Sequence, residues 1–337
     1  METLSTVQDL EWIPVEDLSA AGRVRRSAAG LAKRLGFDEH RAGEVAIAGT
    51  ELGTNLARHA EHGAIALRVR RCGDRAAVEL IALDAGPGMA DLDALASDGR
   101  STRGTLGIGL GAVIRLASRF DAHSVPGRGT AMVATFWPGE PPGAPAPVGM
   151  LTRAMHGQPV CGDACAVRNG GTATTLVLVD GLGHGPLAAA AAHEALRSFA
   201  EASADESPAR LLQRFDGALR STRGAAASVV RIDRDAGTLA FAGIGNVAVW
   251  LDDGERRRAL LGRPGIVGAR AKEAPEQTVP FQEGALVVLH SDGLTSKWDL
   301  NAYPGLRRRD PELSAATLLR DAGIRHDDAS VIVAKAS

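Results

Sequence analysis

Leu83–Gly111 constrains this chain more than any other stretch. An apolar run ends in Asp84-Ala85-Gly86-Pro87-Gly88, and after a gap comes Gly104-Thr105-Leu106-Gly107-Ile108-Gly109-Leu110-Gly111. Glycines let a backbone pass close to a ligand and leave N–H groups open to phosphate. Ala112–Ala117 then reads as a helix whose N-terminus, the positive end of its dipole, would face an anion. Either glycine stretch alone reads more simply as a surface turn. A third element upstream shifts the balance. Glu51, Asn55 and His59 are spaced i, i+4, i+8 and share one helix face, with Val45, Leu52 and Leu56 supplying an apolar stripe beside it. A carboxylate and a carboxamide one turn apart can hold a divalent cation between them and a nucleotide's phosphates.

Together these elements resemble the GHKL nucleotide-binding fold shared by histidine kinases, gyrase, Hsp90 and the anti-sigma kinases. Glu51, Asn55 and His59 match its N box, and Asp84, Gly86 and Gly88 its Asp-x-Gly-x-Gly box. Gly107, Gly109 and Gly111 match the second glycine box, and Gly127-Arg128-Gly129-Thr130 the closing turn. Asp98-Gly-Arg-Ser-Thr102 with Gly107–Leu116 is similar, more narrowly, to the RsbT switch kinases. The resemblance implies a Mg·ATP-dependent serine/threonine kinase. Asn55 would ligate Mg²⁺ and Glu51 would take the proton from the substrate hydroxyl. Asp84 would accept from the adenine amino group, with Gly86 and Thr130 beside it. Gly88, Gly104, Gly107, Gly109 and Gly111 would line the triphosphate. His59 reads as a helix-end structural residue.

A length of 337 residues suggests two domains. The expected boundary is Pro138–Pro147, where five prolines in ten residues exclude a helix or an inner strand. The expected domains are 1–138, a linker 139–148, and 149–337. In the second half, carboxylates stand at the ends of very apolar runs. Thr174–Val179 leads into Asp180-Gly181, Ala285–His290 into Ser291-Asp292-Gly293, and Asp327-Asp328 into Ala329–Ala334, while Cys161-Gly162-Asp163 adds another acid. Such strands are expected to be buried on both faces, with their ends gathered on one edge of a sheet. Clustered carboxylates resist joint ionisation, and hard cations with oxygen-only ligands remove that penalty. One Asp-Gly alone reads as a turn; four carboxylates in this arrangement point to metal.

Val179–Gly185, Ser291–Gly293 and the terminal His-Asp-Asp-Ala-Ser resemble the metal-dependent PPM phosphatases of the SpoIIE branch. Arg223–Ser228, Gly245-Asn246-Val247 and Cys161-Gly-Asp163 are similar, more narrowly, to RsbX. The resemblance implies a phosphoserine/phosphothreonine hydrolase with two Mn²⁺ or Mg²⁺ ions. Asp180 would bridge them, and the Gly181 carbonyl, Asp163, Asp292 and Asp327 would complete the shells, with Asp328 in reserve. His184 reads as a structural or outer residue. The expected fold is a two-domain α/β (α+β) chain: a GHKL (Bergerat) α/β sandwich followed by a PPM α-β-β-α sandwich.

A net charge of −2 gives no basic field for nucleic acid. No apolar run is long enough to span a bilayer, so a cytoplasmic protein without a membrane partner is expected. The three cysteines make no disulfide framework, and none has the arginine six positions on that a cysteine phosphatase needs; a buried structural role is expected for each. The double resemblance implies a kinase and an opposing phosphatase acting on STAS-domain proteins of the RsbS and RsbR class, with an RsbU-like phosphatase or a sigma factor as further partners. The competing readings are an ATP-dependent binding module of the RsbW kind and a nucleotide sensor fused to an active phosphatase.

Overall fold

The computed structural model describes residues 3–90, 106–142, 147–324 and 326–336. The chain forms two compact units, neither of which is one continuous stretch. The first in chain order draws on Gln8–Ala144 and Leu300–Arg320; the other on Met1–Val7, Pro145–Asp299 and Asp321–Ser337.

In the first unit the described elements are β1 (Thr3–Val15), α1 (Leu18–Arg34), α2 (Glu39–His59), β2 (Gly63–Cys72), β3 (Arg75–Asp84), α3 (Leu106–Leu116), β4 (Arg119–Ser124) and β5 (Thr130–Phe136). The strands run in the order β1-β2-β3-β5-β4. Asp17 caps α1 by accepting from Ser19 and Ala20 N–H, and Asp38 caps α2 by accepting from Arg41 N–H. Val24, Ala28 and Leu31 of α1 and Val45, Ala48, Leu52 and Leu56 of α2 are buried with Ile65, Leu67, Val78 and Leu80 of the sheet in one core.

Leu300–Arg320 belongs to this unit and carries most of α6 (Pro311–Ala322). Its Glu312 is buried and meets Arg68, which is fully buried on β2. Arg68 donates to Glu79 at 2.6 Å and to Glu312 at 2.5 Å, and Arg70 pairs with both carboxylates. Thr135 adds a 2.8 Å hydrogen bond to Glu79. Burial raises the Glu79 pKa, but the guanidiniums of Arg68 and Arg70 outweigh it and pull the group down to about 2.

In the other unit Thr3–Thr6 of β1 pair antiparallel with Ala166–Asn169. One sheet runs β13-β10-β9-β8-β7 and the second β12-β11-β14-β15-β6. They are built from β6 (Val148–Arg153), β7 (Asp163–Gly170), β8 (Ala173–Gly181), β9 (Ala225–Asp233), β10 (Thr238–Ile244), β11 (Ala248–Asp252), β12 (Arg257–Leu260), β13 (Gln277–Pro280), β14 (Leu286–His290) and β15 (Ala329–Lys335). Helices α4 (Pro186–Ala200) and α5 (Pro208–Ala218) contribute to a second core of this unit. Alternation explains the continuous apolar strands. Leu176 and Leu178 join the core between the sheets, while Val177 and Val179 join the one with α4 and α5. Every named pairing is antiparallel, not parallel. Of the cysteines only Cys165 is buried; Cys72 and Cys161 are half-exposed, which corrects the expectation of three buried thiols.

Candidate functional site

In the first unit the glycine and acid boxes come together around the end of β3. Antiparallel pairing sets Asp84 opposite Thr130, the first residue of β5. The Asp84 carboxylate accepts from Gly86 N–H at 2.8 Å, and burial raises its pKa while Gly86 and Thr130 oppose the rise. Gly129 lies at φ +79°, and a Cβ there would fall 2.0 Å from the Asp84 carbonyl, so only glycine permits this approach. Arg320 donates to the same carbonyl at 2.9 Å.

The second glycine box differs from expectation. The described helix α3 runs over Leu106–Leu116, so Gly107, Gly109 and Gly111 lie within it rather than in a loop before it. The reason is packing: a Cβ on Gly109 would stand 2.3 Å from Glu51 Oε2. The bare helix backbone thus makes room for the N-box carboxylate on α2. Asn55 is one turn further along α2, half-buried, and His59 is exposed in its last turn. Gly104 and the Asp98–Thr102 stretch lie outside the described residues.

In the other unit the acids converge from two sheets, not from one sheet edge. Register pairs Asp163, at the start of β7, directly with Asp180, near the end of β8. Asp292 follows β14 and Asp328 precedes β15, which are neighbours in the second sheet. Antiparallel strands put the end of one beside the start of the next, so both sheets offer carboxylates at the same kind of edge. Gly181 is held close: its N–H donates to the Gly162 carbonyl at 3.2 Å, and a Cβ would fall 2.2 Å from the Ala188 carbonyl.

The electrostatics of this cluster are those of a site awaiting positive charge. Burial pushes the Asp180 pKa up to about 8, and Asp163, Asp292, Asp327 and Asp328 push it in the same direction. Burial also pushes Asp163 up to about 7, against a hydrogen bond from Ser291, with Asp328 and Asp292 adding to the rise. Asp292 is raised by burial and by Asp327, although Asn246 donates to it at 2.8 Å. The buried Oδ2 atoms of Asp163 and Asp328 have no hydrogen-bond partner among the described residues. Asp328 is otherwise engaged through Oδ1 by the Met155 N–H at 2.8 Å, whereas half-buried Asp327 caps the Asp328 N–H at 2.9 Å. No three His, Cys, Asp or Glu side chains among the described residues are gathered tightly enough to enclose an ion by themselves. An all-oxygen set with orphaned buried carboxylate atoms nevertheless fits hydrated Mg²⁺ or Mn²⁺, since Mg²⁺ takes one or two carboxylates and keeps several waters.

Residues 15–136 match the histidine kinase-like ATPase domain, and residues 170–337 match the stage II sporulation protein E (SpoIIE) family. Over 127 residues the chain is 35% identical to the serine/threonine-protein kinase RsbT of Bacillus subtilis (strain 168), covering 38% of this chain and 90% of that one. The chain belongs to the RsbT family. It is an RsbT-type fusion, because a different stretch is similar to the phosphoserine phosphatase RsbX of the same organism, with 25% identity over 140 residues, 41% of this chain and 70% of that one. A solved structure from work on the bacterial stressosome as a modular system adapted to control secondary messenger signalling is 35% identical. It covers 55% of this chain and 97% of that chain with a TM-score of 0.51. The RsbT-type fusion thus combines a GHKL-like ATPase domain with a PPM phosphatase domain, and it is an enzyme. No described helix is long and apolar enough to cross a membrane.

The raised aspartates predict an unusual pH response of the metal-free RsbT-type fusion. Their folded pKa values lie above the unfolded value near 3.8, so the folded state binds more protons than the unfolded state at neutral pH. Their contribution to stability is present at low pH and is lost as pH rises through about 7 and about 8. Melting in EDTA is therefore expected at a lower temperature at about pH 8.5 than at about pH 6.5, with the rise on adding Mn²⁺ larger at the higher pH. Equal Mn²⁺ shifts at both pH values would contradict the assignment.

Proposed function

We propose that this chain sets the phosphorylation level of a STAS-domain partner in both directions. Residues 1–138 act as the kinase, 139–148 as the linker and 149–337 as the phosphatase. The observation that carries the hydrolytic half is the Asp163–Asp180 pair, two opposed carboxylates raised toward neutrality beside Asp292 and Asp327. Asp180, the Gly181 carbonyl, Asp163, Asp292 and Asp327 would hold the cations, with Asp328 in reserve. Cations held there would lower the pKa of a bound water and so make hydroxide available near neutral pH. The overall reaction adds water across the phosphoester, forming a new P–O bond and releasing serine with its proton restored.

In the kinase half Glu51 would accept the proton of the substrate hydroxyl and Asn55 would ligate Mg²⁺. Asp84, Gly86 and Thr130 would receive adenine, and Gly88, Gly104, Gly107, Gly109 and Gly111 the phosphates. Phosphoryl transfer asks chiefly for positioning and charge neutralisation, which such a site provides. The reading is supported by the 35% identity to RsbT and by the packing of Gly109 on Glu51.

The test uses the full chain, with hydrolysis silenced by Asp180→Asn so that transferred phosphate persists. Label from γ-phosphate-labelled ATP is expected on an RsbS-like STAS protein. Glu51→Ala is expected to lower transfer by roughly 10²–10⁴-fold while nucleotide still binds. Asn55→Ala is expected to abolish the Mg²⁺ dependence along with transfer. ATP binding without transfer to any STAS protein would reduce this half to a sensor, and capture of a sigma factor instead would make it a binding module.

A further inference from the structure

Arg223 sits in the turn between α5 and β9, and local geometry fixes that turn. Thr222 Oγ1 donates to the Leu219 carbonyl at 2.8 Å and accepts from Gly224 N–H at 3.0 Å. Gly224 lies at φ +81°, where a Cβ would press on Ile266 and on the Val267 carbonyl. Ala225 and Val267 exchange backbone hydrogen bonds on the far side. The turn is also tied to the loop that leaves Asp180-Gly181, because Leu182 N–H donates to the Gly224 carbonyl at 3.1 Å. The guanidinium extends over that loop: a Cβ on Gly183 would lie 3.2 Å from Arg223 Nη1.

The side chain is exposed and makes no hydrogen bond or ion pair among the described residues. Some other arginines of this unit are committed to backbone carbonyls, whereas exposed Arg220, Arg258 and Arg270 are, like Arg223, without a side-chain partner among the described residues. Arg168 donates to Ala202, Arg231 to Ala204, Arg257 to Ser296 and Arg263 to Glu273. What sets Arg223 apart is its place: a free fork of donors over the Leu182–Gly183 loop that leaves Asp180-Gly181. The charge balance says what it awaits. Asp163, Asp180, Asp292 and Asp327 carry four negative charges when ionised, and two divalent cations cancel them. A phosphate monoester dianion entering such a neutral centre lacks a counter-charge, and a planar guanidinium matches phosphate oxygens bidentately.

We infer that Arg223 binds the phosphoryl oxygens of the substrate and positions phosphorus over the Asp163–Asp180 pair. This rests on the phosphatase reading above. The test compares wild-type full-length protein with Arg223→Ala and Arg223→Lys in Mn²⁺. It measures KM and kcat on a phosphoserine protein and on p-nitrophenyl phosphate, calorimetric affinity for inorganic phosphate, and Mn²⁺ affinity without phosphate. Arg223→Ala is expected to raise both KM and the phosphate Kd by roughly ten- to a hundredfold, the scale of hydrogen bonds to a charged group. Mn²⁺ affinity is expected to stay as in wild type, and Arg223→Lys to recover part of the phosphate binding. An active wild type with unchanged KM and phosphate Kd in Arg223→Ala overturns this inference alone. So does a parallel loss of Mn²⁺ affinity, which would mark Arg223 as structural. A wild type that neither hydrolyses phosphoprotein nor binds phosphate overturns the phosphatase reading as well.

Discussion

Asp180→Asn is expected to cut hydrolysis of a phosphoserine protein by about a thousandfold, corresponding to about 4 kcal/mol of lost transition-state stabilisation. The substitution keeps the size of the side chain and removes its charge. Asp180 stands opposite Asp163 in register, and burial and four neighbouring acids raise it to about 8. Without its charge the site keeps fewer anionic ligands for two divalent cations, so Mn²⁺ affinity should fall together with turnover. Stability of the metal-free protein should move the other way. An uncharged carboxamide at position 180 relieves repulsion with Asp163, so melting in EDTA at about pH 8.5 is expected at a higher temperature than in wild type. Loss of activity with unchanged Mn²⁺ affinity and unchanged metal-free melting would remove Asp180 from the cation site.

Glu312→Ala is expected to destabilise the unit that contains the ATPase boxes by about 3–5 kcal/mol, the cost of breaking a buried ion pair from one side. Glu312 is 1% exposed and Arg68 is fully buried, so with Glu312 gone the guanidiniums of Arg68 and Arg70 are left to share Glu79, and Arg68 has no access to water. At about 2–4 °C per kcal/mol for a unit of this size, the melting transition should fall by roughly 10 °C. Glu194→Ala is the control, because its pair with Arg197 is exposed on α4 and should matter by less than about 1 kcal/mol. The same network predicts that a fragment ending near residue 140 is less stable than the full chain, since it lacks Glu312, one of the two carboxylates that hold Arg68. Equal melting of Glu312→Ala and wild type would deny the buried network its structural role.

Much of this protein is legible in local pattern. The helix through Glu39–His59 follows from apolar spacing and from Asp38 as its cap, and Val45, Leu52 and Leu56 are buried as that spacing requires. The strands ending at Asp84 and near Asp180 follow from apolar runs and from the acids that close them. The free guanidinium of Arg223 is only half legible: its place in a short motif is visible, but its lack of a partner is a property of the folded surroundings. The partner of the start of β1 is not legible locally, because Thr3–Thr6 pair with Ala166–Asn169 of β7, far away in the chain.

The residue order alone determined the two families of boxes, their spacing and the oxygen-rich chemistry of the second half, because each motif is encoded within a few turns of chain. Tertiary structure decided how they are used. It placed Gly109 inside a helix against Glu51, brought carboxylates from two antiparallel sheets together, and gave Leu300–Arg320 to the unit of the ATPase boxes. Nothing near Glu312 in sequence names Arg68 as its partner. That choice is made by burial, where a charge removed from water is tolerated only beside an opposite charge that the fold has brought to the same place.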